Sequence, residues 1–527
     1  MKSKATLSLM ILALALAAPG FGQEAKGTTL SMSLEECIIK ALRDNLGVAI
    51  QILGPELSAE AVNQAQEKYI PTLSLSARSA KSENAAYSYL DSPGASTINK
   101  TQNYTFLTAN EPLPTGGTFS LNFTGYRTTT NTRGQTIDPR FGTTLTFSLN
   151  QPLLRNFGLK VNRREILVAK NNLGVSEETL KNVLMTTVYN VESAYWNLVY
   201  SIENLDVRRQ SLQLAKDLLE KNQRSVEIGT LAPIEVLSAQ AEVATREADL
   251  IQAETQIKSN EDQLKLLLHI TGAEDKAMTA LVPKDKPTYV PREVSLEEAL
   301  AAALENRTDL KIARIGIESD QLNLSYAKNQ TLPDLSLSAS YNSPGIDGTR
   351  LIYDINPLDP NAQIIDRIPG GIAGALKQTA KFQYPNWNLG LTFSLPLANV
   401  FSRAALAQAK LNMRQSMLDL ENQQDQVYVE IKNAVRSVEA NYKRILAYTK
   451  ARELAEQKLA AEEEKLRVGM STNYLVLSYQ RDLATARISE LNAIVSYNVS
   501  IAALEKSMGT NLKSKNINLS DYAPGLD

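Results

Sequence analysis

The chain contains the same opening twice. MSLEECIIKALRDNLGVAI, from Met32 to Ile50, returns as VSLEEALAAALENRTDLKI, from Val294 to Ile312. At the same offset of 262 residues YIPTLSLSARS matches TLPDLSLSASY, which sets Pro71 on Pro333. A third pair, VEIGTLAPIEVLSAQ (226–240) and LRVGMSTNYLVLSYQ (466–480), sits at an offset of 240 and sets Gly229 on Gly469. Motifs that recur in one order are the mark of an internal repeat. The second copy is 22 residues shorter between its anchors, and the shortfall falls where loops absorb it. Such a chain folds into two similar halves, and each local reading is made twice.

Ser33 with Glu36, and Ser295 with Glu298, read as capping boxes, with hydroxyl and carboxylate each taking an orphan N–H of a helix start. A helix is expected after each, ending before Ile70-Pro71 and Leu332-Pro333, because the residue ahead of proline is pushed out of the α region. Period-two alternation follows: Leu73, Leu75 and Ala77 against Ser74, Ser76 and Arg78, then Leu335, Leu337 and Ala339 against Ser336, Ser338 and Ser340. That is a strand with one apolar and one polar face. A second strand closes each patch, TTLTFSLNQPLL (143–154) and NLGLTFSLPL (388–397). The polar stretches 82–103 and 342–385 read as long loops. TFSLNFTGYRT (118–128), after the turn signal PTGG, is either an extra hairpin or part of the connection.

A long helix pair follows each patch. Leu184, Val188, Val191, Tyr195, Leu198, Ile202 and Leu205 step by fours and threes, as do Tyr428, Ile431, Val435, Val438, Tyr442 and Ile445. That spacing is a coiled-coil seam. Val236, Val243, Leu250, Ile257 and Leu264 fall every seven. From Val175 to Ile228 the helix would be roughly 80 Å long at the α-helical rise. The boundaries read as an export signal (1–22), a first repeat (23–292, strands within 72–154 and helical hairpin 160–270), a second repeat (293–512, strands within 334–397 and helical hairpin 402–508) and a C-terminal tail (513–527).

Composition narrows the function. The 55 basic and 57 acidic residues are interspersed, which leaves no basic stripe for nucleic acid. MKSKATLSLMILALALAAPGFGQ has the charged start, apolar run and small-residue end of a cleaved secretory signal. No later stretch is long and apolar enough for a spanning helix, which leaves an exported soluble protein or an outer-membrane β-barrel. One histidine, His269, and one cysteine, Cys37, supply no catalytic triad and no zinc cluster, and both read as structural. No phosphate-cradling glycine loop appears, so neither enzyme chemistry nor a cofactor is expected. Trp196 reads as helix packing, and Trp387, just before a strand, as a membrane-interface anchor.

Four strands, or six with the extra hairpin, cannot close a barrel alone, because bacterial barrels start at eight and an open edge in lipid leaves backbone groups unpaired. Three copies of four would give twelve. The SLEEA, YIPTLSLSA, FSLPL and VG-x6-VL stretches, twice in order, resemble the outer-membrane efflux protein family of TolC-like trimeric channels. The resemblance implies an α+β membrane protein: a trimeric outer-membrane β-barrel continued by a long periplasmic α-helical coiled-coil barrel. It implies a homotrimer in outer-membrane lipid, docked by a periplasmic membrane-fusion adaptor on an inner-membrane transporter of RND or ABC type. It places adaptor-docking tips at Ile228, Gly229, Thr230 and Leu231 and at Val468, Gly469, Met470 and Ser471. Among the family's acidic and basic gate positions this chain keeps only Glu235, with Leu475 and Ser478 at acidic places and Ser471 at a basic one. The expected constriction is therefore Glu235, Leu475 and Ser478. The competing reading is a trimeric coiled-coil stalk or adhesin with no open path.

Overall fold

A computed structural model describes residues 29–86, 97–132, 134–270, 280–359 and 361–518; the expected export signal and most of the C-terminal tail lie outside these residues. In chain order, β1 (Thr29–Met32) leads into α1 (Leu34–Asp44) and α2 (Leu46–Glu67). Four strands follow, β2 (Thr72–Ala85), β3 (Thr97–Pro112), β4 (Thr118–Thr130) and β5 (Ile137–Pro152). A short α3 (Leu159–Asn162) precedes α4 (Arg164–Glu227) and α5 (Pro233–Leu267). The second half brings β6 (Ala280–Pro283), α6 (Leu296–Asn306), α7 (Thr308–Gln330), β7 (Asp334–Tyr353) and β8 (Ile364–Ile368). It ends with α8 (Ile372–Ala380), β9 (Asn386–Ser394), α9 (Val400–Arg467), α10 (Asn473–Ser507) and α11 (Asn511–Ser514).

The first capping box forms as the residues dictate: the Glu36 N–H donates to Ser33 Oγ at 3.3 Å, and the Ser33 N–H donates to Glu36 Oε2 at 2.8 Å. Lys284 Nζ lies 2.8 Å from the same carboxylate oxygen and, with the Ser33 N–H, holds the Glu36 carboxyl below its usual range. The second box is corrected. Ser295 is an N-cap by backbone conformation, but its side chain makes no cap hydrogen bond. The single helix expected in each copy is also corrected, because both break in the middle. Asn45 caps α2 by accepting from the N–H of Gly47 and Val48. Arg307, at φ −63° and ψ 128°, ends α6 and starts α7 while its guanidinium binds Asp309 and Glu430.

The chain divides into two compact units. The first comprises Met1–Lys40, Ala194–Thr288 and Leu454–Leu491. Its apolar core joins Leu212, Leu218, Ala239 and Val243 to Leu459, Val476, Leu477 and Leu483. The pair β1 and β6, which the sequence pattern did not announce, run parallel with Thr29 on Ala280 and Met32 on Pro283. Beside it Asp285 accepts hydrogen bonds from the Tyr195 hydroxyl at 2.7 Å and the Leu34 N–H at 2.9 Å. Cys37 is wholly buried, and burial, reinforced by the Glu36 and Asp285 charges, pushes its thiol up to about 12.

The second unit comprises Ala41–Ser193, Tyr289–Glu453 and Asn492–Asp527. Its helical core gathers Leu310, Ile431, Val435, Val438, Ile445, Tyr497 and Leu504. Of the expected seam residues in this unit, Leu184, Val188 and Val191 are fully buried, but Tyr428 is 42% exposed and Val427 takes the inward place. The sheet lies wholly in this unit. It is an antiparallel meander in the order β2-β3-β4-β5-β7, with β9 and the short β8 both on the far side of β7.

The alternative left open, four strands or six, resolves to six. The segment read as a loop at 82–103 supplies the ends of β2 and β3, and TFSLNFTGYRT is β4, so the extra hairpin exists and six long strands result. The loop expected at 342–385 is likewise mostly structured, holding the far half of β7, β8 and α8. Pro344 lies past the last β9 partner, Asn342, where one side of β7 carries no β9 ladder to interrupt. Helix α8 packs on the sheet there. Thr379 Oγ1 lies 2.7 Å from Thr143 Oγ1, Ser343 donates to the Thr379 carbonyl, and a Cβ on Gly345 would meet the Ala375 carbonyl oxygen at 2.2 Å.

Candidate functional site

Two features dominate: a pair of helix turns in the first unit and a two-faced sheet in the second. The turns are built alike. Gly229 sits at φ 76° and Gly469 at φ 80°, the left-handed region that only glycine enters freely. At each, the glycine N–H donates three residues back and the next N–H five back, Thr230 to the Ser225 carbonyl and Met470 to the Lys465 carbonyl. This pairing closes the helix end by satisfying its orphan carbonyls. Pro233 then starts α5 at a position where a missing N–H costs nothing. The apolar residues at these turns are not packed: Ile228 is 75% exposed, Met470 78% and Val468 58%. Thr230 and both glycines are exposed, and Leu231 and Ser471 are half-buried. Thr230 donates to the Ser225 carbonyl, and Ser471 Oγ donates to Glu462 Oε1 at 2.6 Å. That bond and Lys465 hold the Glu462 carboxyl below its usual range. Ser471 thus serves the inside of its own turn.

Glu235 stands in the first turn of α5, half-buried, with no side-chain hydrogen bond or ion pair among the described residues. Leu475 and Ser478 are half-buried on the first turns of α10. No described side-chain bond joins these three. His269 closes α5 as the turn glycines close their helices: it is exposed, at φ 53°, and the Ile270 N–H reaches the Lys265 carbonyl. Among the described residues no group of three His, Cys, Asp or Glu side chains is placed to hold a metal.

Sequence reasoning missed Arg246. On α5 it is 5% exposed, donates to the carbonyls of Ser211 on α4 and Leu477 on α10, and pairs with Glu242 at 3.1 Å. Gln480, half of the repeated Val-Leu-x-x-Gln motif, accepts a further bond from it. The signal was present: Arg246 lies three residues after Val243, at the second core position of a heptad whose other members, Ala239 and Ala253, are small and buried.

Cross-strand pairing fixes the faces of the sheet. Leu75 pairs with Leu107, Leu107 with Phe123, Phe123 with Leu145, and Ala339 with Leu389. Leu337 with Leu391 and Leu335 with Phe393 extend the same face, whose β9 residues are all more than 60% exposed. Trp387 lies on it, paired with Tyr341 and 76% exposed. The opposite face carries Ser74, Ser76, Thr108, Asn122, Thr146, Ser338, Asn388 and Thr392. Both edges, β2 and β9, are exposed along their length. No described helix is long and apolar enough to cross a membrane.

Comparison with known proteins gives the arrangement relatives. A model of the family described as outer membrane efflux protein matches residues 39–268 and 299–510. The outer membrane protein TolC of Vibrio cholerae is 26% identical over 324 residues, 61% of this chain and 67% of that one. Among solved structures, the CmeC outer membrane channel of Campylobacter jejuni superposes with a TM-score of 0.61 at 16% identity, over 97% of this chain and 99% of that one. VceC of Vibrio cholerae gives 0.62 at 18% identity, over 90% and 96%. At these identities the structural likeness speaks for the fold.

Proposed function

Because the chain belongs to the outer membrane efflux protein family, we propose that it is the outer-membrane exit duct of a tripartite efflux pump or type I secretion system. It conducts cargo passively and takes its energy from elsewhere. The observation that carries this is the sheet: an apolar band that crosses all six long strands, a mainly polar opposite face and two unpaired edges, in a chain with no described apolar spanning helix. In lipid, each edge must find a partner, since every unpaired backbone group there costs several kcal/mol. Edge β9 of one copy meets β2 of the next, and three copies close a ring. Six long strands per chain make that ring eighteen-stranded, and its width rises about in proportion to strand number over a twelve-stranded barrel. The Ser/Thr/Asn face lines the lumen, and Leu389, Leu391 and Phe393 meet lipid, with Trp387 as interface anchor.

The turns at Gly229 and Gly469 are the surfaces offered to a periplasmic adaptor, whose partner is an inner-membrane transporter. Unpacked Ile228, Val468 and Met470 support that reading, because single-chain packing gives them nothing to cover. Glu235, Leu475 and Ser478 form the constriction, and the absence of a described ion pair on Glu235 leaves its charge to act on passing ions.

Single-channel recording of the purified trimer in planar bilayers tests the duct. A steady conductance is expected, with cation preference falling in Glu235→Gln. Silence from folded, inserted trimer that persists after deletion of both turns would favour a blind stalk. Closure has its own test. Setting Thr72 of one copy against Ser394 of the next puts Ser76 opposite Gly390, both on the lumen face. The Ser76→Cys, Gly390→Cys double variant is expected to run as a covalent trimer under oxidation, and Cys37, buried and protonated, stays out of the reaction. Monomer alone, in this pair and in neighbouring two-residue registers, would rule out edge-to-edge closure.

A further inference from the structure

The lumen face is not uniformly neutral. At the end of the sheet remote from the strand–helix junctions, pairing aligns Arg78 with Tyr104, Tyr104 with Tyr126, and Tyr126 with Gly142. The Tyr104 ring stacks on Phe106 at 5.6 Å and lies 6.2 Å from Tyr126, and the Arg140 guanidinium sits 5.9 Å above the Tyr126 ring. Gly142 is required, because a Cβ there would meet that ring at 2.2 Å. One row further out, Thr128 pairs with Arg140, and Lys100 pairs with Thr130. Together with Gln135 and Asp138 they line a cleft of about 220 Å³.

The chemistry of that cleft is one-sided. Thr128 is 4% exposed, and among the described residues its hydroxyl oxygen has no hydrogen-bond partner. Arg140 Nε is buried and equally unpartnered. Neither Lys100 nor Arg140 has an ion pair among the described residues, and the carboxylate that shares the cleft, Asp138, accepts the Thr130 N–H. Two cations, a free N–H and a free hydroxyl facing one small space form a donor set looking for an acceptor, because buried polar groups are rarely left unpaired.

We propose that this cleft binds an oxyanion, the phosphate or carboxylate of a molecule in the lumen, beside an aromatic platform for its apolar part. This rests on the duct reading for its setting, and it gives the cargo path a preference for anionic, partly aromatic molecules at this end. The constriction near Glu235 makes the opposite choice. Neighbouring copies repeat the cleft three times around the ring, which raises the local concentration of anions.

Calorimetric titration of the detergent-solubilised full-length trimer with inorganic tripolyphosphate tests the site independently of conductance, so a failed duct reading and a failed cleft are told apart. Saturable binding is expected, weakened at least tenfold in the Lys100→Gln, Arg140→Gln double variant. Thr128→Val, which keeps every charge and nearly the same volume, is expected to weaken it severalfold and guards against misfolding of the double variant. The Arg78→Gln control, outside the cleft, should leave affinity unchanged. Absent binding, or equal affinity in all variants, overturns the proposal. In planar bilayers, tripolyphosphate is expected to block current through the wild type. Binding that is competed away by phosphatidylglycerol vesicles but not by phosphatidylcholine vesicles would place the cleft on the lipid side and overturn it as well.

Discussion

Leu391→Arg is expected to abolish assembly of this protein in membranes, while Thr392→Arg, one residue along the same strand, leaves it nearly intact. The two positions differ only in the face they serve. Leu391 pairs with Leu337 and lies 65% exposed on the apolar face, between Leu389 and Phe393. Thr392 pairs with Ser336 on the polar face. An arginine facing the middle of the hydrocarbon costs about 2–4 kcal/mol, and one facing a water-filled lumen costs little. In the proposed trimer the penalty falls at three sites. Heat-resistant trimer on gels, and urea unfolding from lipid vesicles, read the difference. Equal tolerance of both arginines would mean that neither face meets lipid, and the barrel reading would be lost.

Arg246→Ala is expected to destabilise the first unit by roughly 3–5 kcal/mol, as removal of one member of a buried charged cluster does. The side chain ties three helices: it binds carbonyls on α4 and α10 and the Glu242 carboxylate on α5. Burial pulls its pKa below the usual arginine value against the opposing pull of Glu242. Arg246→Met keeps most of the volume but leaves the Ser211 and Leu477 carbonyls without this donor, and a smaller loss of about 1–3 kcal/mol is expected. Denaturant unfolding ranks the two. Hydrogen exchange adds the local signature, faster exchange around Leu477 and Gln480, because the tie that holds α10 at that level is gone. A loss under about 1 kcal/mol for the alanine variant would show that Val243, Leu477 and their neighbours hold the helices unaided.

What the sequence made legible follows from how local each signal is. The helix turns were readable because the backbone there needs a left-handed residue, and glycine followed by a resumed apolar heptad is a one-place statement. The faces of β2, β7 and β9 were readable because alternation is written in each strand by itself. The β3 and β4 hairpin was half-hidden for the opposite reason. Residues Asn99–Asn103 are polar on both faces, and only their ladder against Ser79–Glu83 on one side and Arg127–Thr130 on the other makes them a strand. The far half of β7 was missed likewise, since Gly345, Asp347 and Gly348 signal a turn until β5 and α8 cover them. Arg246 escaped because a charge reads as surface until its partners, 35 and more than 230 residues away, are in place. The second capping box shows the reverse failure. Its residues repeat faithfully, but Lys284, which pins Glu36 in the first copy, belongs to a linker that is not repeated.

The small parallel pair of β1 and β6 sets a timetable for the chain's arrival. Thr29–Met32 stands at the head of the first repeat, yet its partner, Ala280–Pro283, is about 250 residues behind. A parallel two-strand contact closing so large a loop forms late, because the loop entropy is lost before the contact returns anything. In a chain that crosses with its N-terminal end first, Thr29–Met32 is expected to wait unpaired, with the Asp285 and Lys284 charges that act on Cys37 not yet in place, until Ala280–Pro283 has crossed. The thiol that is buried in the finished protein is expected to react with a thiol reagent only in that interval.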